Sequence, residues 1–416
     1  MLLYKLFLFC YPKIAKLLGL FNPKAKHWTN GQNSVWEAIS NKQREINGQP
    51  TIWIHAASYG EFEQGLPIIE AIKLKYPCHK IWLTFFSPSG YLHRQNDPAV
   101  DVVTYLPFDG PDNAHEFINT VNPSLIIFIK YEFWFYYLKE ATQKGIPVIL
   151  SSAVFRANQL FFKWYGGFYK KMLQMFTSIL VQDKISFQLI APITHNQQVF
   201  ITGDTRFDRV LQTVNEKKEI DWMAQLSNDK NIIAGSTWQE DDIIISKATA
   251  HFTQFNWIIA PHLVDKKNIE NCKSLFNNAI TLTELIESGI KHTKPIVLII
   301  DRIGLLRNLY RYSFVSYVGG GFGKDGVHNV LEPAAYGKPV IWGHNDLKYK
   351  EAIGLRKQNG GFSIKNEAAL VVHLNELLQT AGYHEKISQN ANNYIIENAG
   401  ATQKTMTEII KQLDRS

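Results

Sequence analysis

An α/β fold is predicted, with two facing Rossmann-like, doubly wound domains behind an N-terminal amphipathic segment suited to a membrane surface. Three observations predict it. Short apolar, β-branched runs alternate with small-residue loops and helical patterns along most of the 416 residues. The runs fall into two sets, parted by a charged stretch. And before the first acid, Glu37, the chain carries Lys5, Lys13, Lys16, Lys24 and Lys26 among Leu and Phe.

The N-terminal segment, residues 1–36, comes first. Its longest charge-free run near the start, Leu6 to Pro12, is far short of the roughly 20 apolar residues that a spanning helix needs. It also lacks the long apolar stretch and small-residue cleavage site of a signal peptide. Ile14, Leu17, Leu18 and Phe21 recur at helical spacing and form one face, with Lys13 and Lys16 pointing elsewhere. Such a helix lies in an anionic interface or packs on its own domain. The aromatic, lysine-bearing stretch Leu160 to Phe176 poses the same choice.

In the first domain, 37–208, the expected strands are Thr51–His55, Lys80–Thr84, Val102–Tyr105, Leu125–Ile129, Val148–Leu150, Ile179–Val181 and Val199–Ile201. Residues 209–230 read as a linker, charged at Glu216, Lys217, Lys218 and Glu219. In the second domain, 231–384, the expected strands are Ile232–Ala234, Trp257–Ala260, Ile296–Ile300, Phe314–Val318 and Pro339–Trp342. Continuous apolar runs of this kind are strands of parallel sheets buried on both faces. A last helical stretch, Glu385 to Leu413 within 385–416, is expected to pack back across both domains.

Composition narrows the function. Lys and Arg exceed Asp and Glu by 44 − 37 = 7, and five of the seven excess charges precede Glu37, so the rest is nearly balanced and no nucleic-acid partner is expected. Three scattered cysteines, Cys10, Cys78 and Cys272, suit a reducing compartment and give no zinc site or disulfide frame. Walker A, HExxH, GxSxG and clustered Cys/His patterns are absent, as is an acidic pair after a strand to hold a divalent ion, so neither a metal nor another cofactor is expected.

In doubly wound sheets ligands sit where strands end. After Thr51–His55 comes AASYGEF: Ser58 and Gly60 are small, and Glu61 is either a base open to the cleft or an acid matching the helix N-terminus. Glu132 follows Leu125–Ile129 and either stabilises positive charge or pairs with Lys130. Arg206 lies near the hinge, or forms a surface pair with Asp208. Ser236 and Thr237 offer hydroxyls to a phosphate, although Ser236 also suits an N-cap. Pro261 and His262 follow Trp257–Ala260, and Ile303, Gly304 and Leu305 follow Ile296–Ile300. The glycine run including Gly320 and Gly321 would let backbone approach a ligand. Gly321, Gly323 and Gly326 spell GxGxxG, a weak dinucleotide signal this late in a chain. Asn329, Val330, Leu331 and Glu332 follow, with Asn329 and Glu332 either capping a helix or, through Glu332, accepting from ribose hydroxyls.

Three segments in this order carry a resemblance: HAASYGEFEQG (His55–Gly65), DRIGLLRNLY (Asp301–Tyr310) and GVHNVLEPAAYGKPVIWG (Gly326–Gly343). From His55 to about Gly361 the chain resembles the 3-deoxy-D-manno-octulosonic acid (Kdo) transferases, glycosyltransferase family 30. The resemblance implies the two-domain GT-B architecture. It also implies transfer of Kdo from CMP-Kdo to the lipid A precursor, lipid IVA, at the cytoplasmic face of the bacterial inner membrane, during lipopolysaccharide biosynthesis. The family's base falls on Glu61, its transition-state-stabilising positions on Glu132 and Arg206, and its CMP-binding segments on Pro261–His262, Ile303–Gly304–Leu305 and Asn329–Glu332. The chain departs from the family's usual Pro-Arg at Pro261–His262, from Met-Gly-Glu at Ile303–Gly304–Leu305, and from lysine at Arg206. The partners so implied are CMP-Kdo, the lipid A precursor and an anionic inner-membrane surface. A sugar-nucleotide epimerase of similar shape would leave the amphipathic start unexplained, and a membrane-associated nucleotide-binding module without catalysis would not turn over.

Overall fold

The computed structural model describes residues 1–46, 48–194, 198–216, 218–226, 230–289, 291–292 and 294–414. The chain forms two compact units. One runs from Met1 to Arg209 and takes in the tail from Ala399; the other is Val210–Asn398.

In the first unit, β1 (Thr51–Ala56), β2 (Lys80–Phe85), β3 (Val102–Tyr105), β4 (Pro123–Ile129), β5 (Val148–Ala153), β6 (Ser178–Val181) and β7 (Val199–Ile201) form a sheet in the order β3-β2-β1-β4-β5-β6-β7. Every pairing is parallel. All six residues of β1 are buried, because helices cover both faces. Alternation along the strand then sends Trp53 into one core, with Trp82 and Phe117, and Ile52 and Ile54 into the other, with Leu66 and Ile69. Strand order reverses between β1 and β4, the place where loops diverge and leave a crevice.

In the second unit, β8 (Asn231–Thr237), β9 (Asn256–Pro261), β10 (Ile280–Thr281), β11 (Val297–Ile299), β12 (Ser313–Val318), β13 (Val340–Gly343) and β14 (Gly361–Ile364) run in the order β10-β11-β9-β8-β12-β13-β14. These are parallel too, and the order reverses between β8 and β12. All twelve expected strands are present. Two more, β10 and β14, carry too few consecutive apolar residues to stand out in sequence.

Three expectations need correction. Residues 209–230 are not simply a linker: a helix, Thr205–Asn215, runs through the boundary between units, and a 3₁₀ turn, Asp221–Gln225, follows (Lys217 and residues 227–229 lie outside the described residues). The stretch 385–413 is not one helix. It breaks at Gly400, whose φ of 95° is left-handed, so Tyr383–Asn398 stays with the second unit and Ala401–Leu413 joins the first. Asp208 fixes the break by accepting from the Gly400 and Thr402 N–H groups, both at 2.6 Å, and from the Thr402 hydroxyl at 2.7 Å. Residues 1–36, which the sequence sets apart from the domain 37–208, are the helices Leu2–Leu18 and Pro23–Asn33 and the start of Val35–Ile46, and they belong to the first unit, which fits the alternative of a helix packed on its own domain.

The docking leaves the helix two-sided. The Tyr4 hydroxyl donates to Asp109 at 2.5 Å and accepts from the Phe135 N–H at 3.2 Å, while Trp28 is buried. Ile14, Leu17, Leu18 and Phe21 remain exposed, Phe21 at 85%. No helix among the described residues is long and apolar enough to cross a membrane. Leu160 to Phe176 divides likewise: Phe161, Met172 and Leu173 are buried, and Trp164 is 95% exposed.

Candidate active site

At the reversal in the first unit, β1 ends at Ala56 and the chain enters the helix Tyr59–Lys75 with Ser58 as N-cap. Glu61, at the third position of that helix, folds back. Its Oε2 accepts from the Ser58 N–H at 3.0 Å and from the Ser58 hydroxyl at 3.2 Å. This is a capping-box contact, where the sequence offered charge matching at the helix N-terminus as the alternative to a base. Oε1 accepts no hydrogen bond among the described residues, so one oxygen is anchored and the other is available. Gly60 faces open space, and nothing would meet a Cβ there within 4 Å.

Glu132 leaves the end of β4 and turns toward β1 instead of pairing with Lys130. Its Oε2 lies 3.0 Å from His55 Nε2 and accepts from Trp134 Nε1 at 2.6 Å. Burial pushes the Glu61 carboxyl above the ordinary carboxylate range, and the negative Glu132 adds to it; His55, Lys130 and the Ser58 hydrogen bond pull the other way. Arg206 pairs with Asp204, through Nη2 at 2.7 Å and Nε at 2.9 Å, and not with Asp208. Burial pushes up the Tyr131 hydroxyl; Arg156 and Arg206 oppose that rise electrostatically, and Glu61 and Asp183 add to it.

At the second unit's reversal, β8 ends in Ser236, with φ 53°, and Thr237. Thr237 is buried, and its hydroxyl opposes the rise that burial imposes on Asp242, which stands at about 6. The glycine run after β12 packs on protein backbone. A Cβ on Gly319 would come within 2.3 Å of the Ser236 carbonyl oxygen, and one on Gly321 within 2.5 Å of that of Gly343. Asp241 ties this turn down, accepting from the Gly320 N–H at 2.8 Å and from the Tyr317 hydroxyl at 2.7 Å. The next helix begins only at Leu331, so the GxGxxG match does not open a helix as the dinucleotide fingerprint requires.

Beside that turn three rings stack: His262 lies 4.7 Å from Trp238 and 4.6 Å from His328 between ring centroids, and Trp238 Nε1 donates to His328 Nε2 at 3.0 Å. Burial lowers the proton affinity of His262 and brings His328 down to about 4, with His262 adding to the second shift. Pro261 precedes the stack in sequence, and Gly304, φ 86°, follows the 81% exposed Ile303 and precedes Leu305. Asn329 caps Leu331 at 3.2 Å and donates to Glu332 at 3.2 Å; Val330 and Leu331 are buried and present only backbone.

In the first unit Ser58, Gly60, Glu61 and Glu132 follow the two strands at the reversal, with Arg206 in the helix after β7. In the second, Ser236 and Thr237 end one strand of the reversal and Gly320 and Gly321 follow the other. Pro261 ends β9 and His262 follows it, Ile303, Gly304 and Leu305 follow β11, and Asn329 to Glu332 open the helix after the glycine turn. Sequence reasoning missed His55, Thr84 and Trp134 around Glu132, and Trp238, Asp241 and His328 around the glycine turn. The apolar run ending in a histidine at His55 was the one signal available. Among the described residues, no three of His, Cys, Asp and Glu group so as to hold a metal ion.

Two Rossmann-like units, each a parallel seven-stranded sheet whose order reverses once, are the architecture of the GT-B type. The comparisons agree. A family model described as 3-deoxy-D-manno-octulosonic-acid transferase (kdotransferase) matches residues 32–209. A 3-deoxy-D-manno-octulosonic acid transferase of Aquifex aeolicus is 30% identical over 362 residues, covering 83% of this chain and 91% of that one. One from Haemophilus influenzae is 27% identical over 426 residues, covering 99% and 98%. Among solved structures, a UDP-GlcNAc 2-epimerase from Neisseria meningitidis superposes with a TM-score of 0.60 at 16% identity, covering 88% of this chain and 100% of that one, a likeness of fold alone. The chain belongs to the Kdo transferase family and is an enzyme, a glycosyltransferase.

Proposed function

We propose that this transferase moves Kdo from CMP-Kdo to the lipid A precursor, lipid IVA, in lipopolysaccharide biosynthesis, by an inverting single displacement with Glu61 as general base. The observation that carries the reading is Glu61 itself: a carboxylate of raised proton affinity, anchored through one oxygen with the other free. A sugar hydroxyl ionises too weakly to attack unaided. As its oxygen bonds to the anomeric carbon of Kdo, its proton passes to Glu61 Oε1, and the bond from that carbon to the phosphate oxygen breaks, with the electron pair leaving on CMP. Positive charge that grows on the sugar in the transition state is met by the Glu132 carboxylate. Arg206, held by Asp204, supplies a fixed positive charge for the departing phosphate.

The second unit takes the cytidylate. The turn at Gly320 and Gly321 and the backbone around Ser236 receive phosphate. The loops of Pro261–His262 and Ile303–Leu305 flank the base, and Glu332 accepts from ribose hydroxyls. No metal has a role in this scheme. The exposed face of Ile14, Leu17, Leu18 and Phe21, with Lys5, Lys13, Lys16 and Lys24 also exposed, seats the enzyme on the anionic cytoplasmic face of the inner membrane, where an acyl-anchored acceptor must be met.

The experiment incubates the purified protein with CMP-Kdo and lipid IVA, with and without EDTA, and identifies products by mass spectrometry. A Kdo-bearing lipid and free CMP in both arms are expected. Epimerised sugar nucleotide, or no lipid product, would refute the transfer; product lost in EDTA and restored by magnesium would refute the metal-free scheme.

A further inference from the structure

The first two helices, Leu2–Leu18 and Pro23–Asn33, enclose a groove with the loop that follows β2, Phe86 to Pro88. It holds about 260 Å³ and is lined largely by carbon. Its walls run from Ala15 and Trp28, both buried, to Ile14 and Leu18, which are exposed. Ala15 and Ala25 are the small residues of the lining. A dry apolar cavity of about 150 Å³ takes up a small hydrocarbon, so this one has room for a stretch of chain.

The polar groups of the groove are turned to local uses. Asn22 Oδ1 accepts from the Lys24 and Ala25 N–H groups at 2.9 and 3.3 Å, and the Ser87 hydroxyl pairs with that of Ser89 at 3.0 Å. A peptide would bring in backbone N–H and C=O groups with few partners left for them, whereas an acyl chain brings none. Lys13, Lys16, Lys24 and Lys26 are exposed on the same two helices, and no acid precedes Glu37. The occupant that matches is an apolar chain carried on an anionic headgroup.

The groove is tied to the two acids. The Ser87 N–H donates to the Ala57 carbonyl at 2.7 Å, and the next residue, Ser58, gives the N–H that anchors Glu61. The Phe86 ring lies 5.7 Å from that of Trp28 and 5.0 Å from that of Trp134, whose Nε1 donates to Glu132. One loop therefore walls the groove and backs the turn that carries Glu61. A lipid with its chain in the groove has its headgroup on the side of Glu61. A bulk phospholipid seated there would stand in the acceptor's way.

We propose that this groove takes one acyl chain of the acceptor lipid, with the lysines of the two helices meeting its anionic headgroup. The inference deepens the transfer reading above and rests on it. Ile14 and Leu18 belong to the exposed apolar face assigned to the membrane, so a chain can pass from bilayer to groove without crossing water.

The test uses the full-length protein in detergent micelles and lipid IVA carrying a diazirine near the end of one acyl chain. After irradiation, mass spectrometry locates the label. It should fall on Tyr11, Ala25, Trp28 or Phe86, be displaced by unlabelled lipid IVA, and survive the same concentration of phosphatidylglycerol. Label found only on the outer residues Leu17 and Phe21, or outside these helices, would overturn the proposal. So would equal displacement by phosphatidylglycerol, which would make the groove a general lipid site. Ala25→Phe fills the groove. Each methylene kept out costs about fourfold in affinity, so the acceptor KM should rise by about tenfold or more at unchanged donor KM. An unchanged acceptor KM in a folded Ala25→Phe would also overturn it; should that variant not fold, the labelling of the wild type decides. Groove labelling in a protein that makes no Kdo-lipid would refute the function proposed above, whereas Kdo-lipid formed with label elsewhere would refute the groove alone.

Discussion

The Ser58 N–H lies 3.0 Å from Glu61 Oε2, so the acid assigned to proton removal also closes the N-terminus of its own helix. The two uses are compatible because they take different oxygens. The cap fixes the carboxylate's position at no rotational cost during reaction, and the other oxygen has no hydrogen-bond partner among the described residues. An ordinary surface capping box would leave the acid easy to ionise; here burial and Glu132 raise its proton affinity instead.

That shift sets the pH dependence. Glu61 works ionised, so kcat falls as pH drops through its raised pKa, and the acid limb should lie above the ordinary carboxylate range. Glu132→Gln removes the repulsion, and the limb should move to lower pH even as the maximum rate falls. A pH profile of kcat for both proteins checks this; a limb that moves up contradicts it.

Gly320→Ala should damage the second unit. Its φ is 89°, and a Cβ there would lie 2.4 Å from the Gly326 carbonyl oxygen and 2.8 Å from His328 Cδ2. Positive φ and the clash together cost about 1–3 kcal/mol or more. Thermal melting should drop, and calorimetry should show CMP binding weakened at least about tenfold, the equivalent of 1.4 kcal/mol. Unchanged CMP affinity would remove this turn from the phosphate site.

Tyr4→Phe should loosen the N-terminal helix. It strips a donor from Asp109, whose carboxyl burial already pushes up to about 6, and an acceptor from the Phe135 N–H. A loss of about 1–3 kcal/mol in denaturant unfolding is expected, with faster amide exchange over Leu2–Leu18.

Much of this was legible before any coordinates. Apolar runs such as Ile52–Ile54 and Leu125–Ile129 could only be strands buried on both faces, and Glu61 and Glu132 stood one loop beyond two of them. What escaped depended on distance in sequence. His55, Thr84 and Glu132 meet across 29 and 77 residues, and periodicity says nothing of such meetings. The end of the helix Thr205–Asn215 reads as linker because the charges at Glu216, Lys217, Lys218 and Glu219 follow it, and the anchor of its first turn, Asp208 to Gly400 and Thr402, spans more than 190 residues of sequence. The glycine run reads as ligand-facing, and the structure gives Gly319 and Gly321 a packing reason as well, since they lie against the backbone of Ser236 and of Gly343.

Leu17→Glu with Leu18→Glu tests the membrane seat. Both side chains are exposed, so melting should not change. Binding to vesicles containing phosphatidylglycerol should weaken by about tenfold or more, since two apolar contacts are lost and two repulsive charges gained. Equal binding by both proteins would contradict the seat.

The most direct measurement is the single-turnover transfer rate of Glu61→Gln. Glutamine keeps a side-chain oxygen for the Ser58 cap but cannot take a proton at neutral pH. The rate should fall by roughly 10²–10⁴ with CMP affinity intact. Because ionised Glu61 costs the folded state stability as pH rises through its raised pKa, melting near neutral pH should hold or improve. Transfer within a few fold of wild type would contradict the assignment of Glu61 as the base.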